Sequence, residues 1–357
     1  MSNQTRFVRH RRKRKLRKKV VFILVPFLLV FIGVATYGTY LYMKAGSVFS
    51  ESFQDDGREK SSLRETKVDP SIDNVSVLIM GVDASDVRDN KDSNNSRTDT
   101  LMLATLNKDD KSVKLLSIPR DSFVYIPEAG FQSKINAAHA YGGPKSTIET
   151  VENLLNIPVD YYVKVNFEAF IDVVNAVDGV DVNVPYEMYE QDSKDKANKI
   201  HLLPGKQKLN GEEALAFART RKQDNDIERG KRQQEVIKAI MNRAISMNSI
   251  LKYDDVIEAV GKNMTTNMTF DEMKSFISYG TSKDLDIESL TLEGQDYQPA
   301  NVYYYQLDEV ALEETQHILR KQLDLSDSVS ATAGDDNNVE TGTEAGTEPE
   351  TNPDLTY

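Results

Sequence analysis

Arginines set beside aspartates are the residues of this chain whose types and spacing can do chemistry. They occur as Arg97-Thr98-Asp99, as Arg120-Asp121, as Arg219-Thr220-Arg221, and as Asp226 with Arg229 and Arg232; Asp83 follows an apolar run. A guanidinium stays charged and presents a planar fork of donors that matches phosphate oxygens, so several convergent arginines suit a pyrophosphate better than a neutral ligand. In extended chain, residues two apart point to one side, which lets Arg97 and Asp99 share a site, and Arg219 and Arg221 likewise if the helix has ended there. In a helix, Arg229, Arg232 and Gln233 share a face. The aspartates either pair with the arginines or hold a hard cation such as Mg²⁺, which bridges a few carboxylates to phosphates; Asp83, Asp99 and Asp226 are the candidates. Against this stands the plainer reading, in which each pair is a surface ion pair of small consequence.

Two further segments carry polar groups of less certain purpose. Asp121, in Pro119-Arg120-Asp121-Ser122, is read as structural, its carboxylate capping the next turn. Lys134, Asn136 and His139 precede Gly142-Gly143, where backbone can approach a ligand closely, although a turn before a helix explains them equally well. Familiar nucleotide-binding loops, nucleophile elbows and zinc-protease motifs are missing. The chain has no cysteine, which removes disulfides, thiolate metal sites and Cys nucleophiles together.

The elements that must position these residues follow from periodicity. Residues 75–80, 100–106, 113–118, 161–165 and 180–184 are short apolar or β-branched runs and read as strands of a mostly buried sheet. Helical patterns cover 146–155, 167–177, 211–219, 228–247, 270–279 and 310–323. Asn210 is placed to cap the third of these, and Gly179 follows the second. Alternation of this kind predicts an α/β sandwich. Residues 74–325 form the domain, 44–73 a polar stalk, and 326–357 a disordered acidic tail without Lys or Arg.

The first 43 residues predict a membrane anchor. Residues 6–19 carry ten Lys or Arg and no acid, and 20–43 carry no charge. At ~1.5 Å per residue, that uncharged stretch is long enough to cross a bilayer core of about 30 Å. It exceeds the apolar region of a cleaved signal peptide. The positive-inside rule keeps residues 1–19 in the cytoplasm and everything after 43 outside the cell membrane, with Tyr37, Tyr40 and Tyr42 at the outer interface. Removing those ten cations from the total of 44 leaves 34 against 56 acids, a net of −22 for the exterior part. Such a field repels nucleic acid and makes any local gathering of arginines informative.

At these residues the sequence resembles the LytR-CpsA-Psr family of cell-envelope proteins, over about residues 75–325. The resemblance is carried by Arg97-Thr98-Asp99-Thr100, Ser117-Ile118-Pro119-Arg120-Asp121, Lys134-Ile135-Asn136-Ala137-Ala138 and Ala218-Arg219-Thr220-Arg221. Asp178-Gly179-Val180, Leu203-Pro204-Gly205, residues 209–215 and Arg232-Gln233 extend it. It implies an αβα sandwich with a central mixed sheet and a hydrophobic cleft for a lipid tail. It also implies a phosphotransferase that takes a glycopolymer from a polyprenyl pyrophosphate carrier and joins it through a phosphodiester to a peptidoglycan hydroxyl.

On that resemblance Arg97, Arg120, Arg219, Arg221 and Arg229 grip the pyrophosphate, with Lys134, Arg232 and Gln233 in support. Asp99 and Asp226 are the candidate bases, Arg120 joins them in catalysis, and Asp83, Asp99 and Asp226 hold Mg²⁺. The compact segment 222–229 leaves open whether Asp224 or Asp226 stands on the metal side. A polyprenyl-pyrophosphate hydrolase or a non-catalytic envelope binding protein is the alternative. A membrane-linked regulator lacks a cytoplasmic domain, since about 19 residues are too few to fold.

Overall fold

The computed structural model describes residues 18–82, 96–246, 257–259, 261, 264–276 and 285–325. The basic tail up to residue 17, the acidic tail and Asp83 therefore lie outside the described residues, as do the ends of the helices expected to reach 247 and 279.

A six-stranded mixed sheet carries the molecule. Its strands are β1 (Val75–Val82), β2 (Thr98–Asn107), β3 (Ser112–Ser117), β6 (Tyr161–Val165), β11 (Met264–Thr266) and β12 (Asp286–Thr291). They lie in the order β11-β6-β1-β2-β3-β12. β2 runs antiparallel to β1 and β3, whereas β6 is parallel to β1 and β12 is parallel to β3. Because side chains alternate across a strand, Leu78, Met80, Leu101, Leu103 and Tyr162 pack to one face with Ile148 and Val151 of α2 (Ala138–Leu155) and Leu319 of the helix Glu309–Gln322. The other face presents Val77, Met102, Ala104 and Leu115 toward α5 (Asp226–Ser246). Gln234 of α5 donates from Nε2 to Leu115 O and Leu290 O, 2.8 Å each, and so ties that helix to β3 and β12.

A smaller lobe joins α3 (Phe167–Ala176), α4 (Gly211–Arg219) and the ribbon of β7 (Val180–Val184) with β10 (Gly205–Leu209) around Phe217 and Val236. The 180–184 run was expected in the main sheet; it pairs instead with a partner of largely polar sequence. Three more ribbons flank the sheet: β4 (Phe123–Ile126) with β5 (Phe131–Lys134), β8 (Met188–Glu190) with β9 (Ile200–Leu202), and β13 (Gly294–Tyr297) with β14 (Tyr304–Leu307).

The boundary signals behave as elementary capping rules require. The Asn210 side chain accepts from Glu213 N while the Glu213 carboxylate accepts from Asn210 N, a reciprocal box that starts α4. Gly179, at φ +81°, turns the chain after α3, and a Cβ there would meet Leu209 O at 2.7 Å. α2 begins eight residues before the expected 146, kinked at Gly142 and Gly143.

Residues 53–73, expected as a free stalk, lie against the domain instead. Arg58 pairs with Asp56 at 2.9 Å and Glu152 at 3.3 Å, and Arg64 with Asp160 at 2.8 Å. The preceding helix α1 (Lys18–Ser52) runs through the uncharged stretch and nine residues past it. Among the described residues no helix is long and apolar enough to cross a membrane; within α1, the side chains of residues 18–25 and 28–30 fall outside that description.

Candidate active site

Five loops and helix ends meet at one side of the sheet. Arg120 follows β3 in a turn fixed by Ser122, whose N and Oγ both donate to Pro119 O, at 3.0 and 2.7 Å. Asn136 N donates to Arg120 O at 3.2 Å, which binds the start of α2 to the same turn. Asp99 enters where the β1–β2 register shifts: Gly81 faces Thr100 and Val82 faces Thr98, so Asp99 has no partner across the ladder. Thr220 is extended at φ −59°, ψ 144°, so α4 has ended between Arg219 and Arg221.

Arg120 is the hub. Its Nη1 donates to Asp99 Oδ1 at 2.5 Å, and its Nε stands 3.6 Å from Asp121 and 3.7 Å from Asp226. Asp226 also pairs with Arg229 at 3.3 Å and Arg221 at 3.5 Å. Arg229 Nη2 reaches Asp99 O at 3.5 Å. The Arg219 guanidinium lies 4.7 Å over the Phe167 ring. Burial works against the Arg120 charge, but Asp99, Asp226 and Asp121 outweigh it and raise its pKa. Arg229 goes the other way, lowered chiefly by burial. Neither shift discharges a guanidinium near neutrality.

The Nε atoms of Arg120 and Arg229 are both buried and have no hydrogen-bond acceptor. At 3.6–3.7 Å the carboxylates near Arg120 Nε attract it without bonding it. Orphaned cationic donors in a buried place cost free energy unless an acceptor arrives, and an anion with several oxygens answers both.

Two cavities open on this cluster. An apolar one of about 730 Å³ runs between the sheet face and α3, α4 and α5, lined by residues such as Ile79, Leu115, Val163, Phe170, Ile237 and Met268. Asp99, Arg120, Arg219, Arg221, Arg229 and Gln233 stand in its wall. A polar cleft of about 660 Å³ lies beyond, bordered by Asp121, Glu190, Arg219, Arg221, Asp226 and Tyr303. Arg219 and Arg221 belong to both, so a molecule with an apolar tail, an anionic middle and a polar head matches the sequence of surfaces.

Several expected site residues are placed differently. Arg97 is exposed, borders neither cavity and makes no ion pair among the described residues. Arg232 shares a helix with Arg229 but is buried under the end of α4, donating to Phe217 O at 2.9 Å, to Thr220 O and to the Asp224 carboxylate. Asp224 also accepts from Tyr186 at 2.7 Å; Asp226, not Asp224, faces the arginine cluster. Lys134 borders neither cavity and donates to Asp121 at 2.7 Å.

Asp121 was read as a cap and instead stands in the cleft. Burial opposes its ionisation, yet the bond from Lys134 and the charges of Lys134 and Arg120 lower its pKa overall. The apolar lining and Tyr303 were not anticipated residue by residue, because a ligand-binding stripe on α3 and α5 uses the same side chains as a core.

Among the described residues no three His, Cys, Asp or Glu side chains gather to hold a metal. Asp99 uses Oδ1 for Arg120, and it stands with Asp226 around the same guanidinium. One or two carboxylates beside a phosphate site form a donor set that fits Mg²⁺, which keeps the rest of its shell for water and phosphate oxygens.

A mixed sheet packed between helices, with an arginine cluster dividing an apolar cavity from a polar cleft, defines an α/β protein built to hold an amphipathic anion. The chain belongs to the LytR_cpsA_psr family, whose pattern it matches over residues 39–321. It is 40% identical over 324 residues to the Bacillus subtilis polyisoprenyl-teichoic acid–peptidoglycan teichoic acid transferase TagT, covering 90% of this chain and 99% of that one. TagV of the same organism, named as the same kind of transferase, is 37% identical, with 89% and 81% covered. Among solved structures, TagT bound to LIIa-WTA superposes with a TM-score of 0.65 at 41% identity, over 75% of this chain and 97% of that one. TagT with bound octaprenyl pyrophosphate lipid gives 0.62 at 37% identity, over 76% and 98%.

Proposed function

We propose that this protein transfers a phosphate-linked glycopolymer from a polyprenyl pyrophosphate carrier to a hydroxyl of peptidoglycan. The observation that carries the reading is the pair of buried, acceptor-less Nε atoms of Arg120 and Arg229 in the wall of the apolar cavity, both guanidiniums beside Asp226 of the polar cleft. The polyprenyl tail occupies the apolar cavity, the pyrophosphate meets the arginines, and the glycan lies in the cleft.

The acceptor hydroxyl attacks the phosphorus that bears the sugar. A new P–O bond forms, the bond to the bridging oxygen breaks, and polyprenyl phosphate leaves. Asp226 lines the cleft and is the carboxylate positioned to take the hydroxyl proton. Arg120, Arg219, Arg221 and Arg229 stabilise charge developing on the phosphate oxygens, which is where most of the catalysis of phosphoryl transfer resides. Asp99, on the carrier side, would be the residue to hold a Mg²⁺; bound there, the ion would add positive charge beside the pyrophosphate. We further read residues 20–43 as a single-pass anchor that holds the domain on the outer face of the cell membrane, from the uncharged stretch and the ten cations before it.

The test mixes purified protein with lipid-pyrophosphate-linked saccharide, Mg²⁺ and peptidoglycan fragments and follows covalent products by mass spectrometry. A phosphodiester-joined product, reduced at least about a hundredfold by Arg120→Ala, is expected. Polyprenyl phosphate with unattached saccharide would make the protein a hydrolase, and ligand retained without turnover would make it a binding protein.

A further inference from the structure

The catalytic scheme leaves unused an aromatic wall at the edge of the polar cleft. Phe123 of β4 packs against Tyr304 of β14 with ring centroids 4.6 Å apart and against Tyr297 of β13 at 5.7 Å. Tyr303 borders the cleft itself, beside Asp121 and Asp226. None of these four rings lines the apolar cavity. Tyr297 is 41% exposed, and Phe123, Tyr303 and Tyr304 are half-buried.

Polar groups connect the wall to the reacting end of the site. Lys134 Nζ lies 5.6 Å from the Tyr303 ring centroid and 5.8 Å from that of Tyr304, while donating to Asp121 Oδ1 at 2.7 Å. Asp121 and Asp226 in turn flank Arg120 Nε, at 3.6 and 3.7 Å. Tyr303 OH donates to Asp296 Oδ1 at 3.0 Å. Rings, ammonium and carboxylates thus form one continuous surface that leads to the proposed proton acceptor.

We infer that this wall is the subsite for a pyranose ring of the acceptor glycan. A pyranose offers one face of C–H groups bounded by hydroxyls. The negative face of an aromatic ring attracts the first, and Asp296, Asp121 and Asp226 accept hydrogen bonds from the second. The carrier's tail is assigned to the cavity on the far side of the arginines, and Glu190 and Gln191, which also line the cleft, are left for the donor glycan. A sugar stacked on the wall presents a hydroxyl to Asp226 with the pyrophosphate beyond it, the order an in-line attack needs. Lys134 accordingly acts as a positioning residue that fixes Asp121 against the rings.

This inference rests on the transfer reading, and its test separates the two. Binding of a soluble peptidoglycan glycan fragment to the full-length protein is measured first by ligand-observed NMR, with no donor present, for the wild type, Tyr297→Ala, Tyr304→Ala and Tyr304→Phe. Transfer is then measured against the concentration of each substrate. Expected are sugar C–H contacts in the wild type that both alanine variants weaken about tenfold and Tyr304→Phe keeps. The acceptor KM should rise by the same factor with the donor KM unmoved. A melting temperature within about 2 °C of wild type shows that the ribbon still folds; should Tyr304→Ala melt early, Tyr297→Ala decides alone. Unchanged glycan binding, or a donor KM that rises with the acceptor KM, overturns the subsite. Glycan binding without any transfer by the wild type would instead sink the transfer reading and leave the subsite standing.

Discussion

Arg229 and Arg232 lie three residues apart on one helix and serve opposite purposes. Arg229 turns into the apolar cavity with one donor unmet, whereas the Arg232 guanidinium is consumed by Phe217 O, Thr220 O and Asp224. Arg229→Ala should therefore lower transfer about a hundredfold with little change in melting. Arg232→Ala should leave a poorly solvated Asp224 without its cation and cost about 3 kcal/mol, read as a lower urea midpoint. Equal effects of both variants on both measurements would refute the division. His139 offers a second test at this scale. Fully buried, it places Nδ1 2.8 Å from Ser96 O; the carbonyl can only accept, so Nδ1 carries a proton. Burial, helped by nearby Lys164 and opposed by the Ser96 contact, holds its pKa below the usual value. Below about pH 6.5 the unfolded chain binds a proton that the native state refuses. The stability is then complete above that pH and lost as pH falls toward the folded pKa, by at most about 1.4 kcal/mol per unit. Chemical unfolding at pH 7.5 and 5.5 should show this loss in the wild type and a smaller one in His139→Gln.

Among the elements, the contact of α3 with α4 sets the width of the lipid cavity, since both helices line it. Gly211 makes that contact possible: a Cβ there would lie 2.4 Å from Ile171 O and 2.8 Å from Ile171 Cα, both backbone. Backbone cannot swing aside as a side-chain tip does. Gly211→Ala is expected to cost about 1–3 kcal/mol and to weaken binding of a polyprenyl phosphate; a melting curve like that of the wild type would count against so tight a packing. α4 itself was legible to the residue because its helical pattern covers 211–219 and Asn210 marks its start. β12 escaped notice because Asp286, Glu288 and Ser289 interrupt its apolar pattern on a sheet edge. The 180–184 run reads as a strand by alternation, but nothing in its own residues says that its partner is the polar segment Gly205–Leu209. The arginine cluster was legible from spacing for the same reason that Arg97 and Arg232 were over-assigned to it: spacing reports which residues can share a face, and not which way a bulge at Asp99 or the end of a neighbouring helix turns them.

For the whole molecule, the last turns of helix α1 are part of the folded body. Ser52 Oγ donates to Gly261 O at 2.7 Å, and Phe49 stacks on Phe270 at 5.8 Å. A protein shortened to begin at Lys44 should keep its melting temperature, and one shortened to begin at Gln54 should melt several degrees lower, since about 1 kcal/mol shifts a domain of this size by roughly 2–4 °C. Identical melting of the two would show that the last turns of α1 contribute nothing. The apolar cavity bears on the same body through volume. Interior space that side chains do not fill is eliminated when a chain unfolds, and that loss is what hydrostatic pressure favours. This fold should be soft to compression, and a polyprenyl phosphate that fills the 730 Å³ should harden it, raising the pressure at which tyrosine fluorescence reports unfolding. The carrier's hydrocarbon would then serve the protein as a removable part of its interior, inserted and withdrawn at every turnover.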